Sequence, residues 1–115
     1  MKLGYFTMPL HPPSRNYVET LKEDREAIIL ADKLGFVEAL VGEHVTDAAE
    51  TVTDCATFLA SLIHSTKTIK LGTGTLNLPN GHPAQLAATV SMLDNMLEGR
   101  FVLGISPGGL PSDWE

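Results

Sequence analysis

One cysteine, Cys55, stands in the whole 115-residue chain, so no disulfide can form within it and a reducing cytoplasm is the default compartment. Basic residues are scarce: eight Lys and Arg against fourteen Asp and Glu leave a formal charge of −6. A surface of that sign repels phosphate backbones and anionic lipid, so neither nucleic acid nor membrane is an expected partner. No apolar run approaches the ~18 residues that cross a bilayer. The opening stretch MKLGYFTMPLHPPSR lacks the small-residue cleavage site of a secretory signal. Metal motifs are missing as well, for His11, His44, His64 and His82 show neither HxxxH nor HExxH spacing. There is no Walker loop, and GTGTLN breaks the dinucleotide fingerprint at its sixth position, where Asn77 stands in place of glycine. GISPG shares letters with the serine-hydrolase elbow, but Pro107 and two glycines follow Ser106 where that motif opens a helix.

Apolar residues make up 43% of the chain, enough for one small domain with a core. Four runs rich in β-branched, aromatic and glycine residues read as strands: KLGYFTM from Lys2, VEALVG from Val37, TIKLGTGT from Thr68 and FVLGIS from Phe101. Helical patterns lie between them. The first begins near Ser14–Asn16 and runs through Leu21, Ile28, Ala31 and Leu34 to a stop at Gly35. The second places Cys55, Phe58, Leu59, Leu62 and Ile63 at i, i+3, i+4, i+7 and i+8, which makes Cys55 a core thiol. The third runs through Leu86, Val90, Leu93 and Leu97, with Pro83 in its first turn and Gly99 at its end. Asp94 and Arg100 flank that end and are expected to pair across it.

The order βαβαβαβ implies a parallel α/β sheet. Two architectures fit: a doubly wound open sheet, or the first half of a (β/α)8 barrel. Strand starts recur about every 33 residues, and eight such units give roughly the 250 residues usual for a barrel. Either way, sites form at the carboxyl ends of the strands. Those ends carry Thr7–Met8, Glu43–His44, Thr73–Gly74–Thr75 and Ser106. Glu43 either joins a site or caps the following turn. Gly72 and Gly74 lack a Cβ, so backbone there can approach a flat ligand or a packed neighbour closely.

The motifs together resemble the luciferase-like flavin monooxygenases. They are LGTGT at Leu71–Thr75, His82–Pro83, Leu93–Asp94, Gly99–Arg100 and the GEH at Gly42–His44. GYFTMPLHPPSRNY and VGEHVTD are most similar to the limonene-monooxygenase type. The resemblance implies that residues 1–115 form an incomplete domain, the N-terminal half of a (β/α)8 barrel. It implies an enzyme that takes reduced FMN from a separate flavin reductase and, with O2, inserts one oxygen atom into a small organic substrate. A deazaflavin-dependent oxidoreductase of the same superfamily is the alternative cofactor reading. A non-catalytic half-barrel or assembly module is the alternative function. His44 matches the family's catalytic histidine. Glu43, Thr73, Gly74, Thr75 and Ser106 match positions beside the flavin ring, with Met8 and Leu76 as apolar walls. The Gly74–Thr75 pair often carries a cis peptide in this family. Ser106 is followed by Pro107 where luciferase has an arginine, which argues against a luciferase-like aldehyde reaction. A half barrel leaves strand edges open, so self-association or pairing with a missing half is expected.

Overall fold

The computed structural model describes residues 1–109; the end of the expected loop after the fourth strand run, Leu110 to Glu115, lies outside them. Strands β1 (Gly4–Thr7), β2 (Glu38–Val41), β3 (Lys70–Thr73) and β5 (Phe101–Val102) form one parallel sheet in the order β1-β2-β3-β5. This order follows the chain without a reversal. A doubly wound sheet needs a switch point where the order turns back, so the sheet is the wall of a barrel. Four parallel strands with intervening helices are the first half of a (β/α)8 fold.

Register sorts the two faces. Tyr5, Ala39, Leu71 and Phe101 align on one side, and Phe6, Leu40, Gly72 and Val102 on the other, because successive strand residues point to opposite faces. The first row packs under the helices, where Ala39 and Leu71 are fully buried with Ile28, Leu59, Leu62, Ile69 and Leu97. The second row faces the barrel interior, and there Phe6 is 60% exposed.

Helix α1 (Tyr17–Lys33) starts at Asn16, whose side chain accepts from Glu19 N. It stops where Gly35 takes φ +85°, a left-handed conformation that glycine adopts without a Cβ penalty. Helix α2 (Cys55–Ala60) is capped by Asp54, whose side chain accepts from Thr57 N. It is shorter than its apolar pattern. After Ala60 the chain tightens into turns with Leu62 N bonded to Leu59 O and Ser65 N to Leu62 O, so Leu62 and Ile63 keep their buried face without α-helical geometry. Helix α3 (Pro83–Leu97) opens on His82, whose Nδ1 accepts from Ala84 N, and closes through Glu98 at φ +50° and Gly99 at φ +90°.

Two further expectations need correction. The third and fourth strand runs each break: β3 is followed by β4 (Leu76–Asn77), and β5 by β6 (Ile105–Ser106), and β4 and β6 pair as a second small parallel sheet. Asp94 and Arg100 do not pair. Arg100 instead donates to Thr66 Oγ1 at 3.0 Å, Ile69 O at 2.9 Å and Ile63 O at 3.2 Å. The loop before β3 needs donors for these carbonyls, and a guanidinium can serve several at once. Asp94 lies exposed on α3. Among the described residues no helix is long and apolar enough to cross a membrane.

Candidate active site

The carboxyl end of β2 delivers two buried titratable residues, Glu43 at 5% and His44 at 4% exposure. Their side chains diverge because they are neighbours on an extended chain. Glu43 turns towards the helices. Its Oε2 accepts from Cys55 N at 2.9 Å, in the first turn of α2, and its Oε1 accepts from Asn77 N at 2.9 Å, on β4. A carboxylate is favoured at a helix start, where N–H groups lack intrahelical partners. Glu43 thereby ties β2, α2 and β4 together, rather than capping the turn that directly follows β2. Burial, and next the Glu43 charge, push the Cys55 thiol well above its ordinary range, so Cys55 is an inert core residue.

His44 lies against the loop that follows β2. Its backbone N donates to Val52 O at 3.0 Å, and Nε2 sits 2.6 Å from Glu50 Oε2. That contact is bent away from ideal hydrogen-bond alignment. Met8, Pro9, Gly42 and Val52 close around the pair.

At the ends of β3 and β5 the chain is held by side chains rather than by a continued ladder. Thr73 Oγ1 donates to Gly104 O at 2.7 Å and accepts from Gly104 N at 2.9 Å. The Gly74–Thr75 peptide is cis, as the motif led us to expect. Beyond it, Thr75 Oγ1 donates to Ser106 Oγ at 2.6 Å, and Ser106 Oγ donates to Asn77 Oδ1 at 2.8 Å. Asn77 Nδ2 closes the chain by donating to Glu43 O at 3.1 Å. Four residues from three strand ends thus form one directed hydrogen-bond chain. Within it the Ser106 hydroxyl both accepts and donates, and the Thr75 hydroxyl donates.

The chain as a whole is similar to known proteins. The family model described as luciferase-like monooxygenase matches residues 1–114. The chain belongs to the luciferase-like monooxygenase family. It is 36% identical over 113 residues to 4-hydroxyprotoasukamycin monooxygenase of Streptomyces nodosus subsp. asukaensis, covering 98% of this chain and 30% of that protein. It is 34% identical over 110 residues to limonene 1,2-monooxygenase of Rhodococcus erythropolis, covering 96% and 28%. Among solved structures, it superposes with a TM-score of 0.91 and 31% identity on a type II Baeyer–Villiger monooxygenase. That protein is the oxygenating constituent of 3,6-diketocamphane monooxygenase from Pseudomonas putida, in complex with FMN, and the match covers 96% of this chain and 30% of that one. The chain therefore spans about 30% of the length of these relatives.

Within this member of the luciferase-like family, the structure gathers Glu43, Thr75 and Ser106 into one cluster and sets His44 beside it in sequence but on a different wall. Thr73 and Gly74 form the bend that joins β3 to the cluster. Sequence reading did not single out Asn77 or Glu50. The signal for Asn77 was faint: one amide inside the apolar stretch LNLP. Glu50 gave no pattern, because its approach to His44 depends on how a loop folds back.

Proposed function

We propose that this chain forms half of the flavin site of a monooxygenase that uses reduced FMN and O2 to insert one oxygen atom into a small organic substrate. The observation that carries this reading is the superposition, at a TM-score of 0.91, on an FMN-bound oxygenating enzyme.

The residues present fit a flat ring. A Cβ on Gly42 would lie 2.8 Å from Gly74 O and 2.9 Å from Met8 Cγ, and one on Gly74 would lie 3.0 Å from Phe6 Cε2. No side chain rises at these positions, so Phe6, Met8 and Leu40 lie low across the strands as an apolar floor. The hydroxyls of Thr75 and Ser106 stand at its edge, half-buried. An apolar floor with a few fixed polar groups is what holds and orients an aromatic ligand. Bound there, reduced FMN would supply the electrons that activate O2.

In this reading each residue has a separate task. Gly74 and Thr75 back the ring, and Ser106 and the Thr75 hydroxyl orient its polar edge. Thr73 and Glu43 do not reach out; they fix the wall that carries the others. His44 holds or moves a proton, which an imidazole does near neutral pH. The FMN-bound neighbour is described as an oxygenating constituent, which supports a separate reductase as partner.

The test is anaerobic titration of the protein with reduced FMN, followed by oxygen uptake with a terpene and a bicyclic ketone as candidate substrates. Saturable FMN binding with substrate-dependent uptake is expected. Binding without uptake would favour a non-catalytic module. Preference for a reduced deazaflavin would overturn the cofactor assignment.

A further inference from the structure

Residues 44 to 52 form a closed loop whose construction converges on one side chain. His44 N donates to Val52 O at 3.0 Å, which joins the ends. Within the loop, Asp47 Oδ1 accepts from Ala49 N at 2.8 Å and Glu50 N at 2.7 Å. Outside it, the segment after β1 runs alongside: Leu10 and Glu50 form an antiparallel bridge, and His11 N donates to Ala49 O at 2.8 Å. His11 also anchors the next residue, with Nδ1 2.9 Å from Thr51 Oγ1, while its Nε2 lies 3.1 Å from Asp24 Oδ1 on α1. Tyr17 donates its hydroxyl proton to Thr51 O. The backbone of Glu50 is thus held from inside the loop, from the β1 segment and from α1.

What this backbone delivers is a carboxylate oxygen 2.6 Å from His44 Nε2. Two lone pairs at that separation repel, so the approach favours a proton on one of the two atoms, although it lies off the line of an ideal hydrogen bond. No room for water remains among Met8, Pro9, Gly42, Glu43, His44, Glu50 and Val52, so the contact is direct. Among the other carboxylates near it, Glu43 faces Cys55 N and Asn77 N, and Asp47 faces the loop N–H groups.

We propose that Glu50 is the positioning residue for His44: it holds the imidazole in one orientation and in the Nε2–H form, so that proton exchange runs through Nδ1. This rests on the reading of His44 as the proton-transferring group. When a proton reaches Nδ1, an N–H bond forms as the donor's bond breaks, and the imidazolium is stabilised by the Glu50 carboxylate. When it leaves, the ring returns to the same neutral tautomer. A carboxylate on one ring nitrogen sets the role of the other.

The experiment is nitrogen NMR of the protein labelled with 15N-histidine, with the His44 signals assigned by their loss in His44→Gln. This needs neither flavin nor turnover. The wild type is expected to show the Nε2–H tautomer. Glu50→Gln is expected to lose that preference and to lower turnover ~10-fold, as a fraction of what general acid–base catalysis supplies, with the KM for reduced FMN unchanged. An Nδ1–H tautomer in the wild type overturns the proposal without any variant. An unchanged His44 spectrum in Glu50→Gln overturns it too. Should Glu50→Gln fail to fold, Glu50→Asp is read in the same way, with a weakened Nε2–H preference expected. If His44→Gln leaves turnover intact, the catalytic reading of His44 fails, while the tautomer measurement still decides what Glu50 does to the ring.

Discussion

Glu43 shows how much one side chain can hold. Its carboxylate accepts from two backbone N–H groups on separate elements, and both donors are buried with it. Glu43→Ala strands both. Each unsatisfied buried donor costs about 1–3 kcal/mol, so the variant is expected to lose ~2–6 kcal/mol in urea unfolding. A loss within 0.5 kcal/mol, about the scatter of surface changes, would mean that the two donors find other partners. Asn77→Ala removes the acceptor of Ser106 and the donor to Glu43 O. It is expected to weaken FMN binding ~5-fold or more, through loss of about 1 kcal/mol of hydrogen bonding that orients the hydroxyls; fluorescence titration reads this. The position of His44 was legible in the sequence because apolar VEALVG ends beside it, and ends of parallel strands are where sites form. The fate of Glu43 was not legible. It depends on Cys55 and Asn77 arriving from distant segments, which no local pattern encodes.

At the scale of elements, the bends in β3 and β5 are made by contacts between backbone and one threonine. A Cβ on Gly104 would fall 2.4 Å from Thr73 O, whereas one on Gly109 meets nothing within 4 Å. Gly104→Ala must push backbone aside and is expected to cost about 1–3 kcal/mol, as overpacking does. Gly109→Ala is expected to be near neutral, and equal stability of the two variants would refute the close approach. Helix α1 is joined to the loop before β3 by Asp32, which accepts from Lys67 N, Thr68 N and Ile69 N. Burial works to raise the Asp32 carboxyl. Hydrogen bonds from Ile69, Lys67 and Thr68 outweigh it and hold the group below its ordinary value. A folded value below the unfolded one stabilises the fold in full above about pH 4, and that stability is lost as pH falls through the folded value. Unfolding followed as a function of pH should therefore show less acid sensitivity in Asp32→Asn than in wild type. The strand and helix positions were legible from periodicity and from Gly35, Pro83 and Gly99. The split of each later strand was not, because GTGTLN and FVLGIS keep a strand-like composition straight through the break.

Across the whole molecule, the interior face of the sheet is the feature that asks for a partner. Parallel sheets occur almost only with both faces covered, yet on this face Phe6 is 60% exposed. We propose that this face is covered by the other half of a barrel, or by a second copy where that half is absent. Sedimentation of the 115-residue chain is expected to show self-association that Phe6→Glu weakens; a stable monomer that Phe6→Glu leaves unchanged would refute this. The barrel itself was legible in the spacing of the strands together with the family motifs. Composition left an open sheet equally possible, and the chain-order pairing of the strands removes that alternative. The central claim, that this half-barrel carries the oxygenating site with His44 as its proton-transferring group, is tested most directly by single-turnover oxidation of protein-bound reduced FMN with substrate and O2. The account predicts that His44→Ala slows product formation ~10²-fold or more, within the range for general acid–base catalysis, while FMN binding stays close to wild type. Equal rates and product yields in the two proteins would contradict it.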